Sequence, residues 1–250
     1  MDTSEARPMS SGRDAAQQTQ SGFVLHTYPY KETSLVIEVF AREAGRVGLV
    51  ARGARRPKSA LRGLLMPFQP LLFSWFGKTE LRTLRGAEWQ GGIRQLEGLA
   101  LMCGFYLNEL LLKFLAREDP HEVLFDGYRQ AVAELAAQAE PSATLRKFEK
   151  RLLEELGYAL TLDHDVASGR PIEPGLRYIY LVDKGPVVSS ESTSDGVAIS
   201  GKALHDLARE RYDEPETQAQ IKLLMRHLVN HHLGHQELYT RQFLRELQQL

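Results

Sequence analysis

Residues 22–54 read GFVLHTYPYKETSLVIEVFAREAGRVGLVARGA, and the spacing of their apolar side chains decides what the N-terminal third of the chain becomes. β-branched and aromatic residues dominate the run, and Leu35, Ile37 and Val39 fall on every second position, the period of a strand. Gly45 stands where a hairpin turn is expected, so GFVLHTYPY, TSLVIEVFAR and RVGLVA predict three successive strands. Downstream, PFQPLLFSWFG and ELRTLRGAEW add two more, separated by the turn signal GKT. Five short strands within residues 22–88, with little helical period between them, predict a small closed barrel. Among five-stranded barrels the OB-fold is the one that habitually carries nucleic acid, an inference by analogy of fold.

From residue 94 the period changes. IRQLEGLALMCGFYLNELLLKFLAR spaces Leu96, Leu99, Met102, Phe105, Tyr106, Leu110 and Phe114 for one helix face. Asp119-Pro120 breaks it. HEVLFDGYRQAVAELAAQ and SATLRKFEKRLLEELG predict two more helices, the second with Ser142 as N-cap and Gly157 at its C-terminal cap. SGKALHDLARE, PETQAQIKLLMRHLVNHHLG and YTRQFLRELQQL complete the helical part. The expected fold class is α+β: an OB-fold barrel over residues 21–92, then an all-helical domain over 93–250. Residues 163–198 are expected to form an irregular insertion, and residues 1–20 a disordered tail.

Composition narrows the function. Of the 250 residues 43% are hydrophobic and 25% charged, as in an ordinary globular protein. The single cysteine, Cys103, excludes an internal disulfide framework and a four-cysteine zinc site, and it reads as a small buried hydrophobe. The most apolar stretch, 96–116, is interrupted by Glu97, Asn108, Glu109 and Lys113, and no signal peptide is legible, so a cytoplasmic protein is expected. The net charge of -1 conceals an asymmetry: residues 42–94 hold eleven bases against three acids, a local balance of +8, which leaves -9 for the remainder. Such a split predicts a nucleic-acid- or anion-binding part joined to an acidic part with another job.

The densest cluster is Arg52, Arg55, Arg56, Lys58 and Arg62, in a glycine-punctuated segment that leads into Phe68 and Trp75. Arginines neutralise phosphates, and Tyr28, Tyr30, Phe68 or Trp75 would stack on bases if exposed. The same cluster would otherwise be a solvated surface loop. In the helical part, Lys147, Lys150, Arg151, Lys222 and Arg226 lie beside apolar stripes, where a groove with apolar walls and a basic rim would accept an acidic, aromatic-ended peptide. Other patterns point nowhere. GVAISGKA approximates a phosphate loop, but Ala203 replaces the magnesium-binding hydroxyl, and Ser200 reads as a helix N-cap. His227, His231 and His235 recur every four residues without the HExxH order of a zinc protease, and Asp163-His164-Asp165 reads as a helix-exit loop. No catalytic residue, metal ligand or cofactor is assigned, and no enzyme activity is expected.

Taken together, VLHTYPYKETSLVIEVFAREAGRVGLVARGARRPKSALRGLLMPFQPLLFSW, YLNELLLKFLAREDPHEVLFDGY, LRKFEKRLLEELGY and TRQFLREL resemble the RecO family of bacterial DNA-repair and recombination mediators, over nearly everything from residue 22 onward. The resemblance implies an OB-fold that binds single- and double-stranded DNA, annealing of complementary strands, and no catalytic turnover. It also implies partners: RecR, and single-strand-binding protein through its acidic C-terminal tail, with RecA loaded onto the coated strands. The basic stretch Arg52 to Arg62 matches the family's DNA-binding segment. Some family members carry a four-cysteine zinc site after the third helix, and HDVASGRPIEPGLRYIYLVDKG has no cysteine to build one. An RNA- or ribosome-binding OB adaptor is the alternative that the barrel alone leaves open.

Overall fold

The computed structural model describes residues 18–189, 196–234 and 236–247. Five strands, β1 (Gln18–Tyr30), β2 (Ser34–Ala41), β3 (Gly45–Ala51), β4 (Leu71–Phe76) and β5 (Leu81–Trp89), close into a barrel of order β1-β2-β3-β5-β4. The one parallel seam joins β3 to β5. A short helix, α1 (Leu61–Leu64), interrupts the long β3–β4 connection. Closure depends on β1 serving two neighbours, and Gly22 is the pivot: it pairs with Ala41 of β2 and with Leu71 of β4. A side chain there would stand 2.9 Å from Val39 and 3.1 Å from Phe73, so only glycine lets the strands meet. Of the expected N-terminal tail, residues 1–17 lie outside the described residues, while Gln18, Thr19 and Gln20 extend β1.

The apolar alternation in β1 divides the molecule. Val24 joins Ile37, Val39, Val47, Leu49, Phe73 and Trp75 inside the barrel. Phe23 and Leu25 point the other way, with Phe40, into a second core shared with the helices. These helices are α2 (Gly98–Phe114), α3 (Glu122–Ala136) and α4 (Pro141–Glu155). Phe23 meets Tyr128 edge-on at 5.1 Å and Phe125 at 5.6 Å, and Phe40 meets Phe125 at 5.4 Å. Ion pairs ring the contact: Arg42 holds Asp126 at 2.8 Å, Arg82 holds Glu118 at 2.8 Å, and Arg117 pairs with Glu38 and Glu80. The cap of α4 is Glu140, whose carboxylate accepts from Ser142 N and Ala143 N at 3.0 and 2.7 Å; the longer side chain takes the place expected of Ser142, with Pro141 at the first helical position. Gly157, with φ of 83°, ends that helix as expected.

The segment expected to be irregular holds a three-stranded antiparallel sheet of order β7-β6-β8, made of β6 (Arg177–Leu181), β7 (Gly185–Val188) and β8 (Val197–Ser200). The C-terminal part is therefore not all-helical. Tyr178, Tyr180, Val197 and Ile199 from this sheet pack on Leu204, Leu224 and Leu228 of α5 (Gly201–Ala208) and α6 (Pro215–His232). Ser200 caps α5 through Ala203 N at 3.2 Å, so GVAISGKA is a strand running into a capped helix and leaves no phosphate loop. A last helix, α7 (Tyr239–Leu247), packs on α2, where the Glu109 carboxylate accepts from Tyr239 N and Thr240 N at 2.8 and 3.0 Å.

Asp165 ties the sheet to the chain after α4. It is buried, and its carboxylate accepts from Ala167 N (2.8 Å), Ser168 N (2.7 Å), Ser168 Oγ (3.0 Å) and Val188 N (2.7 Å). Burial pushes its ionisation upward, but these bonds outweigh it and hold the carboxyl below its ordinary value. A depressed folded-state value adds stability above the unfolded value of about 3.9, and that stability is lost as pH falls through the folded value. Asp165→Asn turns an NH2 group toward backbone N–H donors. Its urea midpoint should lie below the parent's at pH 7, with the gap narrowing below about pH 4.

Candidate nucleic-acid interface and partner groove

The bulge in β1 determines which side chains face solvent. Pairing with β2 slips between Val24 and His26, so Leu25 has no partner on β2. One extra residue reverses the faces beyond it. Thr27 therefore pairs with buried Ile37, while Tyr28 turns outward and stands opposite Val36. Followed across the ladders, the row runs Tyr28, Val36, Val50, Thr83, Phe76, and these partners share one outer face. Tyr28 and Phe76, at its ends, are 46% and 43% exposed. The strand 2–3 face and the loops after strands 1 and 4 are where OB-folds take oligonucleotides.

The basic run opens from the edge of this face. Arg52, Arg55, Arg56, Lys58 and Arg62 are all exposed, and none forms an ion pair among the described residues. The β1–β2 turn positions them: Arg55 N donates to Thr33 O at 2.9 Å, and Arg55 Nη1 reaches the carbonyls of Lys31 and Glu32 at 3.4 and 3.3 Å. Buried Ala54 and the left-handed Gly53 (φ 69°) hold the bend beneath them. Arg55 is thus partly a brace, while Arg52, Arg56, Lys58 and Arg62 present charge outward. Lys31 and Lys78, in the two neighbouring turns, are also exposed.

The aromatics assigned from sequence divide. Phe68 is 4% exposed, takes φ of 67° in the turn before β4, and packs edge-on against Phe105 at 5.2 Å over Gly104. Its ring belongs to the core between barrel and helices and offers no face to a base. Trp75 is 1% exposed and fills the barrel. Tyr30 is half-buried, with the Lys31 ammonium 5.4 Å from its ring centre. Phe76 was missed, because a strand aromatic shows its face only once the register is known.

The helical part holds a cavity that takes in two of the five basic residues singled out there, Lys222 and Arg226. About 400 Å³ in volume, it has an apolar wall of Leu99, Cys103, Pro141 and Leu145, and the exposed Lys222 and Arg226 line it. Arg146 and Arg241, which the sequence did not single out, complete the basic side. Below them Tyr106 OH donates to Glu149 Oε1 at 2.6 Å, and Arg146 Nη2 and Arg241 Nη2 reach Glu149 Oε1 and Tyr106 OH at 2.8 and 2.6 Å. Burial, and then the nearby Glu149 charge, push the Tyr106 phenol far above its ordinary value, so it remains a donor. Arg146 is nearly buried, and its Nε and Nη1 have no partner among the described residues. Lys147, Lys150 and Arg151 do not line the groove. Lys150 is engaged by Glu210 at 3.3 Å and Glu154 at 3.8 Å, and the stem of Arg151 lies over Gly127. Cys103 is buried as expected, which pushes its thiol up. His235 lies outside the described residues.

The comparisons agree with this architecture. The family model for the N-terminal part of recombination protein O matches residues 16–92, and that for its C-terminal part matches residues 95–242. The chain belongs to the RecO family. DNA repair proteins RecO from Nitrosospira multiformis, Thiobacillus denitrificans and Aromatoleum aromaticum are 55%, 52% and 51% identical to it. They cover 94%, 98% and 92% of this chain over 97%, 98% and 96% of their own lengths. The role that goes with RecO membership is DNA repair and recombination, and the RNA or ribosome adaptor is not favoured. A solved asparaginyl-tRNA synthetase from Entamoeba histolytica is 12% identical over 73% of this chain and 41% of its own, at a TM-score of 0.28, too low to bear on the fold. Among the described residues no helix is long and apolar enough to cross a membrane.

The two kinds of aromatic separate under substitution. Tyr28→Ala or Phe76→Ala should weaken single-strand binding by about 1–3 kcal/mol per stacked base without moving the thermal midpoint. Phe68→Ala should instead cost about 3–5 kcal/mol of folding stability, measured by urea denaturation.

Proposed function

We propose that this protein is a recombination mediator that works without catalytic turnover. Its barrel binds single- and double-stranded DNA through Arg52, Arg56, Lys58 and Arg62, with Arg55 bracing the loop and exposed Tyr28 and Phe76 stacking on bases. By neutralising phosphate on two strands it lowers the repulsion that opposes pairing, and released counterions supply much of the affinity. The observation that carries this reading is the exposed, carboxylate-free basic loop pinned to the β1–β2 turn beside the outer row of the barrel.

The groove between α2, α4 and α6 suits the acidic C-terminal tail of single-strand-binding protein. Leu99, Cys103 and Leu145 would take an apolar side chain, and Arg146, Lys222, Arg226 and Arg241 would receive carboxylates. The unpartnered nitrogens of Arg146 favour such a ligand, because a buried guanidinium gains most from an added acceptor. Acting with RecR, the protein would help load RecA onto coated strands in the cytoplasm, at the nucleoid.

Annealing of complementary oligonucleotides in EDTA, bare and coated with single-strand-binding protein, tests both halves. The parent should accelerate both reactions without nucleotide. Lys222→Glu with Arg226→Glu should retain annealing of bare strands and lose acceleration on coated ones. If the four outward-facing loop bases each meet one phosphate, the log–log salt slope on single strands should be about -2.8, and removing Arg56, Lys58 and Arg62 together should lower its magnitude by about 2. A slope unchanged by that triple alanine variant would remove the loop from the interface.

A further inference from the structure

The four-residue spacing of His227, His231 and His235 in HLVNHHLGH predicts no metal site, and the structure gathers a different set. His227 is exposed and apart, and the donors that converge are His231, His232 and Asp183. His231 Nε2 lies 3.3 Å from one oxygen of Asp183, and His232 Nε2 lies 3.9 Å from the other. All three donor atoms lie within 4.8 Å of one another.

We propose that Asp183, His231 and His232 form a binding site for a divalent transition metal, with zinc the ion that two imidazoles and one carboxylate suit. The site would join the β6–β7 turn to the C-terminal end of α6. With zinc–ligand distances of about 2.0–2.2 Å, two donors on one ion stand no more than about 4 Å apart. Both histidine–aspartate separations meet that limit. The remaining gap closes by rotation of the His231 ring, which is 48% exposed and has room to turn.

Three features preorganise the set. Asp183 occupies a left-handed turn position with φ of 61°, a conformation aspartate tolerates better than most residues, and Lys184 N donates to Leu181 O at 3.3 Å across that turn. His232 is largely buried and stacks on Tyr158, with centroids 4.0 Å apart and planes at 20°, which fixes its ring with Nε2 toward the carboxylate. Both histidines lie in the last turn of α6, where the helix's exposed carbonyls favour positive charge. The exposed side chains of Asp183 and His231 leave a fourth position to water, as in an open three-ligand site. Neighbouring Lys184, also exposed, opposes a cation and limits the affinity. None of these residues belongs to the barrel face or to the basic groove.

The same atoms would otherwise form only histidine–aspartate ion pairs, and metal uptake separates the two. Chelator-treated full-length protein should be titrated calorimetrically with zinc alone, beside Asp183→Asn and His231→Ala. Both positions are exposed, so the variants should fold, as thermal melting in EDTA would verify. The expected result is one equivalent of zinc bound by the parent, affinity reduced about tenfold or more in each variant, and a zinc-dependent rise in thermal midpoint confined to the parent. Cobalt at the site should give a visible absorption band that both variants lose. Failure of the parent to take up one equivalent, or uptake unchanged in either variant, would overturn the site.

Discussion

Leu25 has no residue opposite it on β2, and Asn108 Nδ2 donates to its carbonyl at 2.9 Å from the buried face of α2. Asn108 is itself fixed by Tyr128, whose hydroxyl donates to its Oδ1 at 2.6 Å. An orphaned carbonyl at this depth would cost about 1–3 kcal/mol, so the extra residue in β1 is tolerated because α2 answers it. That bulge keeps Val24 inside the barrel and turns Tyr28 outward onto the candidate DNA-binding face. The same contact docks α2 on the barrel. One turn away on that helix, Gly104 receives Phe68, and Tyr106 faces the basic groove. The barrel and the basic groove thus share α2.

Charge follows the same division. The excess of bases over residues 42–94 overstates what is available to a phosphate backbone, because Arg42, Arg46 and Arg82 are engaged by Asp126, Glu38 and Glu118. The Arg42 and Arg82 pairs hold the barrel to the helical part, and the Arg46 pair lies between β2 and β3. The five loop bases form no ion pair among the described residues, and a solvated single-sign loop costs little in salt and gains most from a polyanion. In the groove Glu149, fully buried, holds Arg146 at 2.8 Å and lies 4.0 Å from Arg241, while Lys222 and Arg226 are exposed beside them.

Local pattern made the barrel legible, because β1 to β5 are six or more residues long, rich in β-branched and aromatic side chains, and punctuated by glycine. The second sheet was hidden: its strands have five, four and four residues, too short for a period to emerge. Phe68 misled because it follows Pro67 at the edge of an apolar run, and nothing local reveals that its ring lies over Gly104 of a distant helix. Arg146 left a signal that could have been used. Arg146 and Glu149 fall on the stripe of α4 that also carries Leu152 and Leu153, and a charged pair at i, i+3 on a buried stripe marks a polar site inside the fold. The convergence of Asp183 with His231 and His232, and the outer row from Tyr28 to Phe76, depend on tertiary pairing, which spacing along the chain does not encode.

Hydrogen–deuterium exchange on the full chain, with an oligonucleotide and separately with an acidic peptide ending in an aromatic residue, tests the separation of the two surfaces most directly. The oligonucleotide should protect residues 31–33 and 50–62 and leave α4 and α6 unchanged. The peptide should protect residues 99–106, 141–146 and 222–226 and leave the barrel unchanged. Protection of the helices by the oligonucleotide, or of the basic loop by the peptide, would contradict the assignment of DNA to the barrel and the acidic partner to the groove.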